Sequence, residues 1–542
     1  METPRRRLGG WGFEGESLLP SPEFLAWLDA RIGPAVHPVP AAAAAPSELS
    51  SEDLGTLPAE VSTDPLDRLA HARGQGLVDV LRVRSGLVPA LPDAVCRPRD
   101  TDEVESVLRT CSSRNIRVIP WGGGTSVTGG VNVLAGDSPV LSVDLERLSG
   151  CTTVDKRSGL ATFGPGTTGP SVEAALAGHG LTLGHFPQSW ELATVGGWAA
   201  TRSSGQESLG YGRIEDMVAG LELVAPGGRL RVPAGPASAA GPDLGRFIMG
   251  SEGRFGVITE ATLRVRKHPD QTVVAGAMLP DLENGLGAVR DLVVNGAPLT
   301  MIRLSDAPET EVAMAVGLGA SRVAPLVERW LALRGISGDA CLMLFGAAGD
   351  QDGVDDCLRQ ARAIIRSHRG VSLGRRPGRK WLHDRFRHPY LRESLLDLGY
   401  AADTLETAAT WSSALALREA MTAAIANALT GKDERVAVLC HVSHPYRDGA
   451  SLYFTFFFRC AASSEETIFR WARIKRAATD QLVTAGATLS HHHGIGQWHA
   501  PWLESEIGAE GMAVIEAAAQ RLDPAGIMNP HVLLDSEDRL ER

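Results

Sequence analysis

The chain has 542 residues, too many for one hydrophobic core, so two or more domains are expected. Its formal net charge of -11 argues against general nucleic-acid binding, and 44% hydrophobic with 22% charged residues suits a globular protein in water. Seven cysteines, odd in number and with no Cys-x-x-Cys pair, argue against a disulfide framework or a zinc knot and for a reducing, cytoplasmic setting.

Along the chain, Arg5-Arg6-Arg7 is followed by no apolar stretch, so no secretory signal is predicted. No run approaches the roughly 20 apolar residues of a membrane span. Residues 11–31 read as an aromatic entry segment plus one helix, and the Ala, Pro and Ser-rich stretch 38–58 as a linker. A short helix over 66–74 follows, and the compact part is predicted to start near Val83. Residues 102–115 carry a helical stripe of Val104, Val107, Leu108 and Cys111. Residues 117–120, 140–144, 160–163, 221–224 and 258–265 read as strands, with a helix over 169–178. Beyond Pro269 the texture changes to helices over 326–333, 353–367 and 413–429, and strands over 436–441 and 452–458. This predicts an N-terminal region 1–87, a ligand domain 88–270, a second α+β domain 271–488 and a C-terminal return 489–542.

Three glycine-punctuated loops lie in the ligand domain. The first is Pro120-Trp121-Gly122-Gly123-Gly124-Thr125-Ser126, running on to Gly129-Gly130. The second is Gln188-Ser189-Trp190-Glu191-Leu192-Ala193-Thr194, leading into Thr201-Arg202-Ser203-Ser204. The third is Glu252-Gly253-Arg254-Phe255-Gly256-Val257-Ile258. Consecutive glycines let backbone N–H groups approach an anion, yet no Lys-Ser/Thr pair follows as in a Walker loop, and no helical stripe follows as in a dinucleotide fold. Three such loops within one domain suit one extended ligand bearing a pyrophosphate and a flat ring. The other conspicuous run is His491-His492-His493, between Ser490 and Gly494. Three adjacent imidazoles are costly to bury without partners and well suited to moving protons near neutral pH. On an extended segment His491 and His493 would share a face and His492 would point away. With no Cys, Asp or Glu inside the run, no metal site is predicted. A structural histidine pair and a proton-handling role both remain open at this point.

The three loops in this order resemble the flavin-binding domain of the vanillyl-alcohol oxidase family. The resemblance implies an α+β chain: a two-subdomain (PCMH-type) FAD-binding domain, then an α+β cap domain and the C-terminal return. It implies non-covalent FAD, since the glycine loop holds no histidine for attachment, and it assigns the three loops above to the cofactor. Gly9-Gly10-Trp11-Gly12, Ile302-Arg303-Leu304, Tyr390-Leu391-Arg392, Leu405-Glu406-Thr407-Ala408, Tyr453-Phe454 and the histidine run are similar to the alkyldihydroxyacetonephosphate synthase branch of that family. That branch implies Arg303 and Arg392 as binders of a substrate phosphate, and Tyr453, His491, His492 and His493 as catalytic groups. Read alone, Arg303 is a salt-bridge partner or an inward anion contact, Arg392 a solvated helix face, and Tyr453 a packing residue. His185, His441 and His444 are weaker candidates. The expected reaction exchanges the acyl group of an acyl-dihydroxyacetone phosphate for a long-chain alcohol in ether lipid synthesis, without net redox change. The competing expectation is an FAD-dependent D-2-hydroxyacid dehydrogenase or oxidase, which shares Leu522-Asp523-Pro524-Ala525-Gly526-Ile527-Met528-Asn529-Pro530. The expected partners are a lipid-like phosphorylated substrate and a fatty alcohol, or a small hydroxy acid. Also expected are a homodimer and peripheral membrane contact. Leu540-Glu541-Arg542 is not a peroxisomal address of the Ser-Lys-Leu type.

Overall fold

Val140–Asp144 is buried at every position, and it lies parallel to Ala94–Arg97 on one side and Arg117–Trp121 on the other. Burial on both faces explains why these strands read as continuous apolar runs rather than as alternation. Glu60–Ser62 adds an antiparallel edge to this four-stranded sheet. The helix Thr101–Arg114 covers it with Val104, Val107, Leu108 and Cys111. Asp100 caps that helix through the Glu103 N–H, and Asn115 ends it in the left-handed region at φ 55°. A second subdomain is a five-stranded antiparallel sheet in the order Cys151–Asp155, Leu160–Phe163, Val257–Arg264, Val218–Ala225, Gly228–Val232. The computed structural model describes residues 5–41, 54–136, 138–318, 324–429, 431 and 434–540. Of the predicted linker 38–58, residues 42–53 lie outside the described residues.

The cap is a seven-stranded antiparallel sheet ordered Val371–Gly374, Gln271–Leu279, Cys341–Gly349, Met301–Ser305, Ala437–Pro445, Gly449–Arg459, Tyr400–Thr410. The helices Leu282–Val294, Gln351–Ser367, Ala414–Ala426 and Ser464–Ala485 cover one face and form the largest core with it. Side chains along Gly449–Arg459 alternate: Leu452, Phe454, Phe456 and Phe458 enter that core, while Tyr453, Thr455 and Phe457 face a cavity on the other side. Tyr400–Thr410 was not foreseen as a strand, because its Ala-rich sequence has little β propensity. Eleven residues of in-register pairing with Gly449–Arg459 hold it extended.

One expectation is corrected. The compact part does not begin near Val83, because Leu77, Val78, Val80 and Leu81 already sit in the cap core. Within the N-terminal region 1–87, the helix Pro22–Ile32 lays Phe24, Trp27, Leu28 and Ile32 against Tyr400, Leu439 and Phe457 of the cap sheet. Those partners lie hundreds of residues away, so no local pattern announces them. The C-terminal return is present. The Val118 N–H donates to the Ile527 carbonyl at 2.8 Å, and the Asn529 N–H to the Val118 carbonyl at 2.8 Å, so the return lies along the strand that feeds the first glycine loop.

Candidate active site

A cavity of about 1230 Å³ separates the two flavin subdomains from the open face of the cap sheet. One wall is made by the first glycine loop. A methyl group at Gly123 would lie 1.9 Å from the Leu192 carbonyl oxygen, and one at Gly122 2.4 Å from Thr194 Oγ1, so glycine is what lets the first two loops touch. Among the described residues, the backbone N–H groups of Gly123, Gly124, Thr125 and Ser126 find no protein acceptor. The side-chain atoms Gln75 Oε1, Thr194 Oγ1 and Gln206 Oε1, on residues lining the same cavity, are buried without partners. A donor row with orphaned polar atoms beside it fits the pyrophosphate and the ring edge of FAD.

Pro120 to Ser126, Gln188, Ser189, Ala193, Thr194, Thr201, Ser203, Glu252, Gly253, Gly256 and Ile258 line the cavity. Eight residues assigned to the cofactor turn elsewhere. Trp190 stacks on Phe386, with centroids 4.8 Å apart. Glu191 accepts from the Tyr390 hydroxyl at 3.0 Å, and Leu192 packs with Trp11 and Tyr390. Arg202 pairs with Glu215, and Ser204 bonds His444. Arg254 reaches Asp523 and the Met528 carbonyl, while Phe255 and Val257 are core. Motif membership marks the loop, but not every side chain in it faces the cavity. Glu252 is a partial case. It lines the cavity, yet its carboxylate accepts the Ile495 and Gly496 N–H groups at 2.7 and 2.9 Å. Burial pushes that carboxyl up to about 7 against these two hydrogen bonds.

The opposite wall is built by strand register. Tyr453 pairs with Glu406 on one side and with His441 on the other, which sets the three in one row across the sheet. The His441 ring stacks on Tyr453 at 4.9 Å between centroids, and its Nδ1 meets Glu309 Oε2 at 3.0 Å. Arg303 donates to the other oxygen of Glu309. Burial opposes the charge on Glu309, yet His441 and Arg303 hold it down at about 2. Arg303 lines the cavity from Met301–Ser305, and Arg392 does so from the helix His388–Leu398. Arg392 is steered by Glu393 Oε1, at 3.1 Å from Nε and 2.7 Å from Nη2, and it also donates to the Gln75 carbonyl.

The histidine run closes the row. It is not a strand: Gly494 and Gly496 take φ of 81° and 57°, and Thr128, Glu252 and Ser490 bond its backbone. The expected alternation therefore fails. His492 and His493 line the cavity, whereas the His491 ring is buried behind them. His491 Nε2 bonds the Tyr446 hydroxyl at 2.6 Å, and its ring stacks on His444 at 4.9 Å. His492 Nδ1 is in direct contact with Glu406, a carboxylate with no exposed side-chain surface. Burial opposes ionisation of Glu406, but His492 and His491 hold it well below the usual range. Burial pushes His493 and His444 well below 6.5, so both are neutral imidazoles. Burial, together with Glu406 and Asp403, pushes the Tyr453 hydroxyl up, so it is a neutral phenol. His185 stands apart, buried against Trp198 and bonded to Ser203.

Glu406, His444, His491 and His492 bring one ligand atom each within 4.8 Å of one another. A zinc ion with bonds of roughly 2.0–2.2 Å needs its ligand atoms about 3.3 Å apart, with the ion between them. Here Glu406 is in direct contact with His492, so as they stand the carboxylate and the imidazoles are linked to one another. Sequence reasoning missed the weight of Glu406 and all of Glu309. The motif Leu405-Glu406-Thr407-Ala408 was the one signal for the first.

The chain matches the FAD binding domain family over residues 92–232 and the C-terminal domain family of FAD linked oxidases over residues 268–533. It is 31% identical over 484 residues to an alkyldihydroxyacetonephosphate synthase of Dictyostelium discoideum, covering 88% of this chain and 79% of that one. The corresponding protein of Trypanosoma brucei brucei is 31% identical over 485 residues, with the same coverage. A solved alkyldihydroxyacetonephosphate synthase structure superposes with a TM-score of 0.82 at 27% identity, covering 96% of this chain and 98% of that one. FAD is therefore the cofactor that the glycine-loop wall receives, and the chain belongs to the alkyldihydroxyacetonephosphate synthase family of FAD-dependent enzymes.

Proposed function

We propose that this enzyme exchanges the acyl group of an acyl-dihydroxyacetone phosphate for a long-chain alcohol, the ether-forming step of lipid synthesis. The observation that carries this reading is the composition of the cavity between the flavin wall and the cap. Next to the flavin wall it joins two arginines, a phenol–imidazole row and an arm lined by Phe24, Val312, Met314, Val327, Trp330 and Leu342. A small hydroxy acid would need the first parts but not the arm.

In this reading Arg303 and Arg392 hold the phosphate, each oriented by a carboxylate, Glu309 and Glu393 respectively. Tyr453, with the His493 ring edge-on at 5.7 Å, faces the carbon that bears the ester. A neutral phenol takes a proton only as it passes its own on, and neutral His493 is an acceptor beside it. His492, backed by the Glu406 anion, can carry positive charge while the carboxylate leaves and the alcohol enters. His491, Tyr446 and His444 fix that pair from behind. When bound, FAD supplies the electron-poor ring against which the three-carbon unit reacts. The apolar arm excludes water, so the incoming nucleophile is an alcohol.

The long-chain substrates give a reason for membrane contact. Leu326 is 65% exposed and Leu333 79%, beside Val327 and Trp330, which line the apolar arm. The Arg334 guanidinium lies 5.3 Å over the Trp330 ring. Such a face, greasy with a basic rim, suits a lipid surface. No described helix is long and apolar enough to cross a membrane. Seven free cysteines support a reducing, cytoplasmic setting.

The test is anaerobic mixing of holoenzyme with palmitoyl-dihydroxyacetone phosphate and hexadecanol, and separately with D-lactate and D-2-hydroxyglutarate. Alcohol-for-acid exchange without lasting loss of flavin colour is expected. Persistent bleaching by a hydroxy acid, with no exchange on the ester, would overturn the reading.

A further inference from the structure

One sequence motif has no part in the chemistry so far: Gly9-Gly10-Trp11-Gly12. In the fold it turns an N-terminal hairpin, bridged at Arg6 and Phe13 and closed by the Arg7 N–H on the Gly12 carbonyl at 2.9 Å. The hairpin lies where three separate parts of the site meet. On its first strand, away from the turn, Arg6 Nη2 donates to the Gly123 carbonyl of the first glycine loop at 2.7 Å. At its centre, Trp11 is 4% exposed, packs with Leu192 of the second loop and Tyr390 of the cap, and lines the cavity. The Trp11 N–H donates to Glu393 Oε1 at 3.1 Å, the oxygen that also receives Arg392.

The glycines are there because nothing larger fits. A methyl at Gly12, where φ is 82°, would lie 2.3 Å from the Tyr390 ring, and one at Gly10 2.8 Å from Glu393 Oε2. Gly9 offers its carbonyl to Arg84 Nε at 2.9 Å, and Arg84 Nη2 reaches Glu393 at 2.9 Å. Glu393 is thus a fully buried carboxylate shared by the hairpin backbone, Arg84 and Arg392. Two cations and one N–H offset its burial cost, and its position sets where the Arg392 fork can point.

We propose that residues 6–13 are a clasp that seats Arg392 through Glu393 and holds the first glycine loop through Arg6, completing the phosphate corner of the cavity. The Arg392 half rests on the reading that Arg392 binds the substrate phosphate; the flavin half does not. Trp11 and Gly12 are positioning residues. The Trp11 Nε1–H is buried without a partner.

The test uses holoenzyme carrying Gly12→Ala, Arg6→Gln or Arg6→Lys. Gly12→Ala should raise KM for palmitoyl-dihydroxyacetone phosphate about tenfold or more and change kcat by no more than about twofold, since Arg392 is displaced while Tyr453 and the histidines stay. Arg6→Gln should release FAD about tenfold faster, followed by flavin fluorescence on dilution, and Arg6→Lys should restore most of the retention. Parent-like KM in the first variant together with parent-like FAD release in the second would overturn the clasp. If the parent enzyme performs no exchange, the substrate reading has failed, and FAD release from Arg6→Gln alone decides. If Gly12→Ala loses its near-UV circular dichroism, the two Arg6 variants decide in the same way.

Discussion

The two walls of the cavity are made by opposite means. The flavin wall is backbone: glycines at 122, 123 and 124, N–H groups with no acceptor among the described residues, and loops touching at distances that forbid a side chain. The cap wall is side chain: Tyr453 and His441 on neighbouring strands, with His492 and His493 from the C-terminal return, backed by the buried Glu406 in the same row. A backbone wall tolerates little bulk anywhere. A side-chain wall tolerates exchange in most places and fails sharply at the reacting atoms.

Substitutions test this contrast. Gly123→Ala should be the most damaging, because a methyl 1.9 Å from a carbonyl oxygen moves both loops at once. Protein purified with little or no flavin absorbance is expected. A yellow, fully loaded variant would show that the loops are not in contact. Tyr453→Phe should keep its flavin and lose about a hundred- to ten-thousand-fold in exchange rate, measured under single-turnover conditions. A loss below about tenfold would remove the phenol from the reaction.

On the flavin side, His71 packs against Trp121 at 4.9 Å and bonds Asp144 at 2.9 Å behind the first loop. Burial works against its charge, but Asp144 and Asp67 raise it to about 9, above the 6.5 of a free imidazole. Its contribution is therefore fully present below pH 6.5 and lost as pH rises through 9, amounting to about 3 kcal/mol. Thermal melts from pH 6 to 10 should fall more steeply for the parent than for His71→Gln. Identical slopes would refute the assignment. On the cap side, Arg303→Ala should weaken binding of the phosphate ester by about 1.5–3 kcal/mol, roughly ten- to a hundredfold in KM. The same change should leave binding of a non-phosphorylated analogue nearly untouched, which isothermal titration would read.

The contrast also explains what could be read in advance. Gly122, Gly123 and Gly124 announce a backbone site because the need for glycine is local; several strands and helices of the flavin domain followed from patterns close in sequence, while its division into two subdomains came from the resemblance carried by the three loops. Glu406 announces nothing by itself. It matters because an Ala-rich segment pairs residue for residue with Gly449–Arg459, a register set by long-range packing and not by any motif. His491 was assigned to the reacting groups with its two neighbours because the resemblance covers the whole run, whereas Gly494 and Gly496 bend the chain and leave the His491 ring behind the other two. Trp190, Arg254 and Phe255 were assigned to the cofactor because they share a motif with residues that face it, though their own side chains serve packing and ion pairing. Arg303 and Arg392 were visible, but the carboxylates that aim them were not, since Glu309 and Glu393 look like ordinary helix-surface residues.

The C-terminal return carries a further consequence, for the order in which the protein is made. The Ile527 carbonyl and the Asn529 N–H bracket Val118, the Asn529 amide reaches the Gly130 and Glu252 carbonyls, and Asp523 anchors Arg254. A nascent chain that has emerged through residue 270 has all three glycine loops but not the segment that ties them together. On the ribosome the cofactor would meet only a loose, open half-site. Tight loading should therefore wait until residues 523–529 have emerged, which makes that segment the one that commits the enzyme to its flavin.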